Sequence, residues 1–478
     1  MIWWCILALL LIFIAIVLVR TLRFTPASQQ PPAPQPVSVD GPRAVSHLAA
    51  MIRCKTVSNR DHSREDAQEF RNFRALLPEL YPHIHQTCER EHIGLHGLLY
   101  RWPGQSSEKP TVLMAHYDVV PAGDEAAWQQ PPFEAVIQND TLWGRGTLDT
   151  KCTLCGVLEA AETLIEKGFV PKNDVYFAFA GDEEVAGDGA PQIVDVLESR
   201  HIRPALVVDE GGAVVENVFP GVSAPCALVG IGEKGMLEVE FTVHSRGGHA
   251  SSPPPHTPVG VLARAVTAVE AHPFRRKLTP PAAEMFDTLG RHSSFVYRMV
   301  FANLWCFAPV LDLLCKKQGG ELNALMRTTC AFTMMQGSKQ SNVLPPFAKV
   351  GANLRLVGGD TMDSALSYLR SVTRDPEVEI TAVHGMNPSP YSDTSGEGWQ
   401  RIKTAIGQSW PEAIVSPYLM IQCSDSRHYC RISDSVMRFS AMALTSEERA
   451  LIHGNNERIS TQKIADTVAF YQRLMLLS

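Results

Sequence analysis

The 478-residue chain carries no excess of positive charge: 43 Lys and Arg stand against 50 Asp and Glu, a formal net charge of −7. A basic surface for nucleic acid or anionic lipid is therefore not implied, and no nucleic-acid partner is expected. There is no internal repeat and no long low-complexity tract, so a repeat architecture finds no support. The 11 cysteines are odd in number and do not outline a disulfide framework. Cys152 and Cys155 form a C-x-x-C, but no second pair stands at zinc-ribbon spacing. One turn apart on a helix, they read as packing residues. No G-x-S-x-G nucleophile elbow accompanies them, so a covalent serine mechanism has no motif to rest on.

Charge is missing altogether from the first 19 residues, and Arg20 and Arg23 follow. The run Ile2–Val19 is just long enough to span a bilayer. No charged residue precedes it and no small-x-small cleavage site follows it, which favours an uncleaved anchor over a secretion signal. The alternative is a secreted protein. The two arginines favour a cytosolic C-terminal side, which leaves the side of the membrane open. Residues 1–24 are thus read as an anchor or signal, and 25–41 as a Pro-rich linker, the stretch PASQQPPAPQPVSVDGP running over 26–42. Asn139 opens one glycosylation sequon, which alone is weak evidence of secretion.

What remains is ordinary globular sequence, 45% hydrophobic and 19% charged, with room for two to three domains. Apolar spacing near 3.6 predicts helices over 44–53 and 66–80. Further helices are predicted over 152–167 and 190–200, and apolar strands over 111–120, 175–180 and 205–210. Alternating strands and helices imply an α/β, doubly wound, mostly parallel sheet, whose ligands bind beyond the carboxyl ends of its strands. From Met236 the pattern changes. LEVEFTVHS alternates with period two, as half-exposed antiparallel strands do. Helices at 259–270 and 361–372 and strands at 331–336, 348–356 and 378–383 complete a smaller α+β unit of order β-α-β-β-α-β. The expected organisation is a catalytic domain over 42–235 and 386–478, interrupted at 236–385 by a lid or dimerisation domain. That lid carries an insertion near 274–330. The apolar run Met299–Cys315 in the insertion is broken by Asn303, Pro309 and Asp312. It reads as a helix hairpin packed on the lid, or as a greasy wall for an acyl substrate or a membrane-facing patch.

Acidic residues and histidines recur in five stretches: His116 and Asp118 in TVLMAHYDVVP, Asp149 in LWGRGTLDTK, Glu183 and Glu184 in FAFAGDEEVAGD, Asp209 in LVVDEGG, and His453 in LIHGNNERI. Four lie at the ends of apolar runs. Carboxylates and imidazoles gathered there suit two divalent cations, zinc first among them. His116 and Asp118 are two apart on a strand and face the same way, so Asp118 can hold the second ring nitrogen of a metal-bound His116. Asp149 can bridge two cations. Of the adjacent Glu183 and Glu184, one can coordinate while the other faces the water to be deprotonated. Asp209 or Glu210 adds a further carboxylate.

The stretches HYDVVP, WQQPPF, LWGRGTLDTK, GDEEVAGDGA, VVDEGG, SRGGHASSPP, SNVLPP, SDSRHY and IHGNNERI resemble the carboxypeptidase S and aminoacylase family of di-zinc exopeptidases. The likeness runs from about residue 42 to the end. It is greatest to the carboxypeptidase S branch, which includes enzymes that cleave or form N-fatty-acyl amino acids. The resemblance implies metal ligands at His116, Asp149, Glu184, Asp209 and His453, with Asp149 bridging, Asp118 behind His116, and Glu183 as general base. Relatives place a glutamate near Asp209, which keeps Glu210 in play. Thr150 stands where many members have a second acidic residue. His249 in RGGHASS resembles a lid histidine that reaches a neighbouring subunit's site and stabilises the oxyanion, which implies a homodimer through the lid. Asn342, Arg355 and, in competition, Arg427 resemble residues that hold the substrate's carboxylate or carbonyl.

The expected activity is metal-dependent hydrolysis of an amide next to a free carboxylate, of carboxypeptidase or dipeptidase type, with two Zn2+ or else Co2+ or Mn2+. The alternatives are an N-acyl (fatty-acyl) amino acid hydrolase and an inactive metal-binding scaffold.

Overall fold

The computed structural model describes residues 1–26, 32–33 and 35–478. The middle of the Pro-rich linker expected at 25–41 therefore lies outside the described residues. An eight-stranded sheet forms the larger part of the molecule. Its order runs Glu89–Ile93, Gly97–Trp102, Asn173–Ala180, Ser106–His116, Leu206–Val215, Val436–Leu444, Cys226–Glu233, Ile414–Met420. The four central strands pair in parallel, as do the last two. The first two, and the strand from Cys226, join antiparallel. This is the mostly parallel α/β sheet expected, with antiparallel strands toward its edges.

The core strands are apolar throughout because both faces are covered. Lys151–Glu166, Thr461–Leu476 and Gly41–Arg53 pack together over one face. Gly189–Ser199 lies against the other with Val112, Met114, Tyr176 and Val207. Cys152 and Cys155 are buried and unbonded to each other in the first of these helices, so the C-x-x-C is packing. All 11 cysteines are free.

A second sheet has the order Thr329–Gln336, Phe347–Leu356, Gly235–His244, Glu379–Met386, all antiparallel. Helices Pro258–Ala271 and Met362–Thr373 cover one face. The other face explains the period-two burial of the strand Gly235–His244. Connectivity follows the β-α-β-β-α-β pattern, and the sheet joins the larger one through Glu233-Lys234-Gly235.

The regular structure of the insertion is four helices, Pro280–His292, Phe295–Ala302, Leu304–Gln318 and Gly320–Met326. It does not pack on the lid as a hairpin would be expected to. Met285, Phe286 and Leu289 sit with Phe219, Cys226 and Leu419, against the outer strands of the large sheet. Val357, just past the lid strand Phe347–Leu356, closes the same cluster.

Ile2–Arg23 is one helix of 22 residues, 6% buried over its most apolar window and long and apolar enough to cross a membrane. Its last turns meet the insertion. The Arg20 guanidinium donates to Ala302 O, and Asn303 Nδ2 donates to Val17 O.

Candidate active site

His116 is the last residue of its strand, and its ring is 2% exposed. Nε2 lies 2.9 Å from Asp149 Oδ1 and 3.4 Å from Glu210 Oε1. Nδ1 lies 3.2 Å from Asp118 Oδ1 and 3.1 Å from Asp118 O. Asp118 therefore fixes the ring from behind. The same carboxylate accepts from Glu183 N, Glu184 N and Ser58 Oγ, so one buried aspartate positions both the imidazole and the acidic turn Glu183–Val185.

His453 Nε2 lies 3.0 Å from Asp149 Oδ2 and 3.1 Å from Glu184 Oε2. Two imidazoles 337 positions apart in sequence thus meet the two oxygens of one carboxylate. Asp149 follows the tight turn of Gly146 (φ 91°), and its peptide bond to Thr150 is cis. His453 itself has φ 60°, a left-handed conformation uncommon outside glycine and held here by its neighbours.

The loop carrying Asp149 is held by Glu457, which the sequence reading did not single out. Its buried carboxylate accepts from Arg145 Nη1 at 2.8 Å and from the backbone N–H of Gly146, Leu148 and Asp149. Arg145 Nη2 also donates to His453 O. Glu457 thus ties the bridging aspartate to the loop that delivers His453. Changing Glu457 to Gln leaves the buried Arg145 without its counter-ion, and we expect about 3–5 kcal/mol of lost stability, measured by urea unfolding, together with weakened cation binding.

Electrostatics set the character of the cluster. Burial opposes a charge on His116, but Glu210 and the hydrogen-bonded carboxylates hold the imidazolium well above its usual range. Hydrogen bonds to Asp149 and Glu184 push His453 up to about 10. Burial works against the Asp149 carboxylate, yet the two histidines hold it well below the usual range. Burial pushes Glu183 well up, and Glu210 to about 8. Surplus negative charge is therefore balanced by protons on imidazoles, the charge that metal ions displace when they bind.

Two groups can each hold a cation: His116, Asp149 and Glu210, and Asp149, Glu184 and His453. In each, the ligand atoms lie within 4.8 Å of one another. A tetrahedral zinc with bonds of about 2.1 Å separates its ligands by about 3.4 Å; the His116–Glu210 contact has that spacing, and the others, at 2.9–3.1 Å, must part slightly to admit an ion. The donors are imidazole and carboxylate only, a set that zinc, cobalt and manganese all accept.

Glu210 falls within the spacing of the first group, while Asp209, the preferred expectation, lines the same pocket as His116. The reason is a bulge: the partners of Arg438 and Phe439 jump from Asp209 to Gly212, leaving Glu210 and Gly211 unpaired. Gly211 has φ 140°, and a side chain there would meet Met420 and Arg438. The bulge swings Glu210 toward His116. Asp209 accepts from Ser426 N at 3.0 Å and, with His116, Glu183, Asp425 and Tyr429, lines the closed depression beneath the cluster. Burial raises Asp209 to about 6 and Asp425 well above its usual value. Asp425, in SDSRHY, was also missed. A third group, His62, Glu65 and His96, is already paired within itself and accepts Asn59 N.

His249 is exposed on the two-stranded ribbon Gly248–His249 with Val343–Leu344, and its Nδ1 lies 2.8 Å from Ser251 Oγ. Asn342 adjoins it, since its carbonyl accepts Ala250 N. Neither makes a contact with the cluster among the described residues. Arg355 ends a lid strand, and its Nη1 donates to Cys423 Sγ at 3.3 Å, across the hinge. Arg427 is turned inward, with Nη2 2.5 Å from Asn387 O and Nη1 3.5 Å from Glu233.

The model of peptidase family M20/M25/M40 matches residues 112–477. The chain belongs to this family. It is 34% identical over 480 aligned residues to a carboxypeptidase S-like protein of Dictyostelium discoideum, covering 98% of this chain and 92% of that protein. It is also 34% identical to an N-fatty-acyl-amino acid synthase/hydrolase of Xenopus tropicalis, covering 90% and 85%. The M20 family metallo-carboxypeptidase of Sulfolobus solfataricus shares the fold, with a TM-score of 0.68 at 17% identity over 91% of this chain and 98% of that one. With its family, the protein is a metal-dependent peptidase or amidohydrolase.

Proposed function

We propose that this M20 protein hydrolyses an amide bond next to a free carboxylate, in a peptide or an N-acyl amino acid, and that two cations occupy the groups bridged by Asp149. The observation that carries this reading is the convergence of His116 and His453 on opposite oxygens of Asp149, with Glu183 beside them. His116, Asp149 and Glu210 would hold one ion, with Asp209 beneath them, and Asp149, Glu184 and His453 the other. When bound, the ions supply Lewis-acid polarisation of the scissile carbonyl and a lowered pKa for water.

The chain's own residues do the rest. Glu183, fixed through its backbone by Asp118, takes the proton from water and passes it to the leaving amine. His249, from a second copy across the lid, steadies the developing oxyanion. Arg355, on the lid strand that faces the hinge, pairs with the substrate carboxylate. Arg427 is already committed to Glu233 and Asn387 and serves the hinge instead. The helix Ile2–Arg23 serves as an uncleaved membrane anchor.

A second reading, cleavage of long-chain N-acyl amino acids, is favoured by the apolar surface of the insertion and by the likeness to the N-fatty-acyl-amino acid synthase/hydrolase. Keeping Glu183 together with a complete donor set speaks against an inactive scaffold.

The test is a panel of dipeptides, acetyl amino acids and long-chain acyl amino acids, assayed before and after chelation. We expect chelation to abolish turnover and zinc, cobalt or manganese to restore it. Methyl esters of the same substrates should be poor. Full turnover by metal-free protein, or equal turnover of the esters, overturns the reading.

A further inference from the structure

We propose that the helix pair Phe295–Ala302 and Leu304–Gln318 is seated in the lipid bilayer beside the N-terminal helix, so that the catalytic unit lies against the membrane surface instead of hanging from a flexible tether. This rests on the anchor reading of Ile2–Arg23.

The two helices meet at 111°. Their outer side exposes Phe295, Val296, Trp305, Val310, Leu313 and Leu314, between 49% and 67% each. Most other exposed large apolar residues outside the N-terminal helix are scattered singly along the chain, as is normal for a soluble surface.

What covers this face is indicated by its neighbour. Phe13 and Trp305 are in edge-to-face contact, with ring centroids 5.8 Å apart. Phe13 lies within the uncharged run Ile2–Val19. If that run crosses a bilayer, Phe13 is in hydrocarbon, and a ring touching it shares the same medium. Phe13 is seven residues before Arg20, about 10 Å along a helix, close to the about 5–10 Å at which interfacial helices settle.

The junction is built, not incidental. Asn303, fully buried at the bend, donates from Nδ2 to Val17 O, Thr21 Oγ1 and Met299 O. Arg20 closes the carbonyl of Ala302, and Phe24 is covered by Arg291. These contacts fix the angle between anchor and insertion, which a tether would not require. Charge agrees with the placement. Lys316 and Lys317 sit at the far end of the second helix, and Asp312 turns inward to Arg327 and Lys316. The same insertion touches the active-site side, where Arg449, four residues before His453, pairs with Glu321.

The test uses the full chain reconstituted in phosphatidylcholine vesicles containing brominated lipid, which quenches tryptophan in the acyl region. Trp3→Phe/Trp4→Phe reports on the anchor and Trp305→Phe on the insertion. Both changes keep an aromatic ring, and circular dichroism checks folding. We expect each to remove its own share of the quenchable emission, with Trp305 quenched most by bromines near the headgroup. If Trp305→Phe removes none while Trp3→Phe/Trp4→Phe does, the anchor stands and the seat is wrong. If neither does, the anchor reading has failed first. If Trp305 emission is blue-shifted yet unquenched, a second copy of the chain covers the face and the proposal falls.

Discussion

Changing Glu183 to Gln lowers amide turnover by about 10²–10⁴-fold while both cations remain bound. The carboxylate is the same size as the amide, and its backbone N–H still meets Asp118. What disappears is the proton acceptor. Among the described residues Glu183 makes no hydrogen bond or ion pair to a histidine of either donor group, unlike Glu184, whose Oε2 is 3.1 Å from His453. The two neighbouring glutamates therefore separate by measurement: Glu183→Gln should keep metal content and lose rate, and Glu184→Gln should lose metal content. Metal analysis beside single-turnover rates decides it. Unchanged hydrolysis by a metal-loaded Glu183→Gln protein would remove the residue from the mechanism.

Changing Asp149 to Asn empties both sites together. Its two oxygens face His116 and His453 separately, so the amide can offer an acceptor to one side only and carries no charge to share. Loss of a supporting residue such as Asp118 costs about 10–100-fold in metal affinity. The bridging substitution should exceed that, because two ions lose a direct ligand. Calorimetric titration with zinc should show two sites in the parent and none of comparable affinity in Asp149→Asn. Retention of one tight site would mean that the carboxylate serves a single ion.

Much of this was legible in the residues. The spacing of His116 and Asp118 marked them as a pair, and although the strand ends at His116, Asp118 reaches the ring from the turn beyond it. The alternation in LEVEFTVHS marked a sheet with one covered face, and the apolar runs before it marked a sheet covered on both. In each case a local period reports burial directly, because side-chain direction repeats with the backbone.

Other features had no such signal. Asp209 and Glu210 differ by one position, and a bulge set by the register with Val436–Leu444 brings Glu210 to His116. Glu457 is a buried counter-ion for Arg145 only because two chain segments more than 300 residues apart close on each other. The insertion lies on the flank of the large sheet, a choice made by which apolar surface was left uncovered.

By itself, then, the sequence determined the kinds of element and the chemistry of the donors, since both follow from side-chain type and short-range period. The tertiary structure alone decided which carboxylate meets which imidazole, and what lies against the membrane-length helix. Those are long-range contacts, fixed by strand register and by the competition among apolar faces for cover, and no window along the chain contains them.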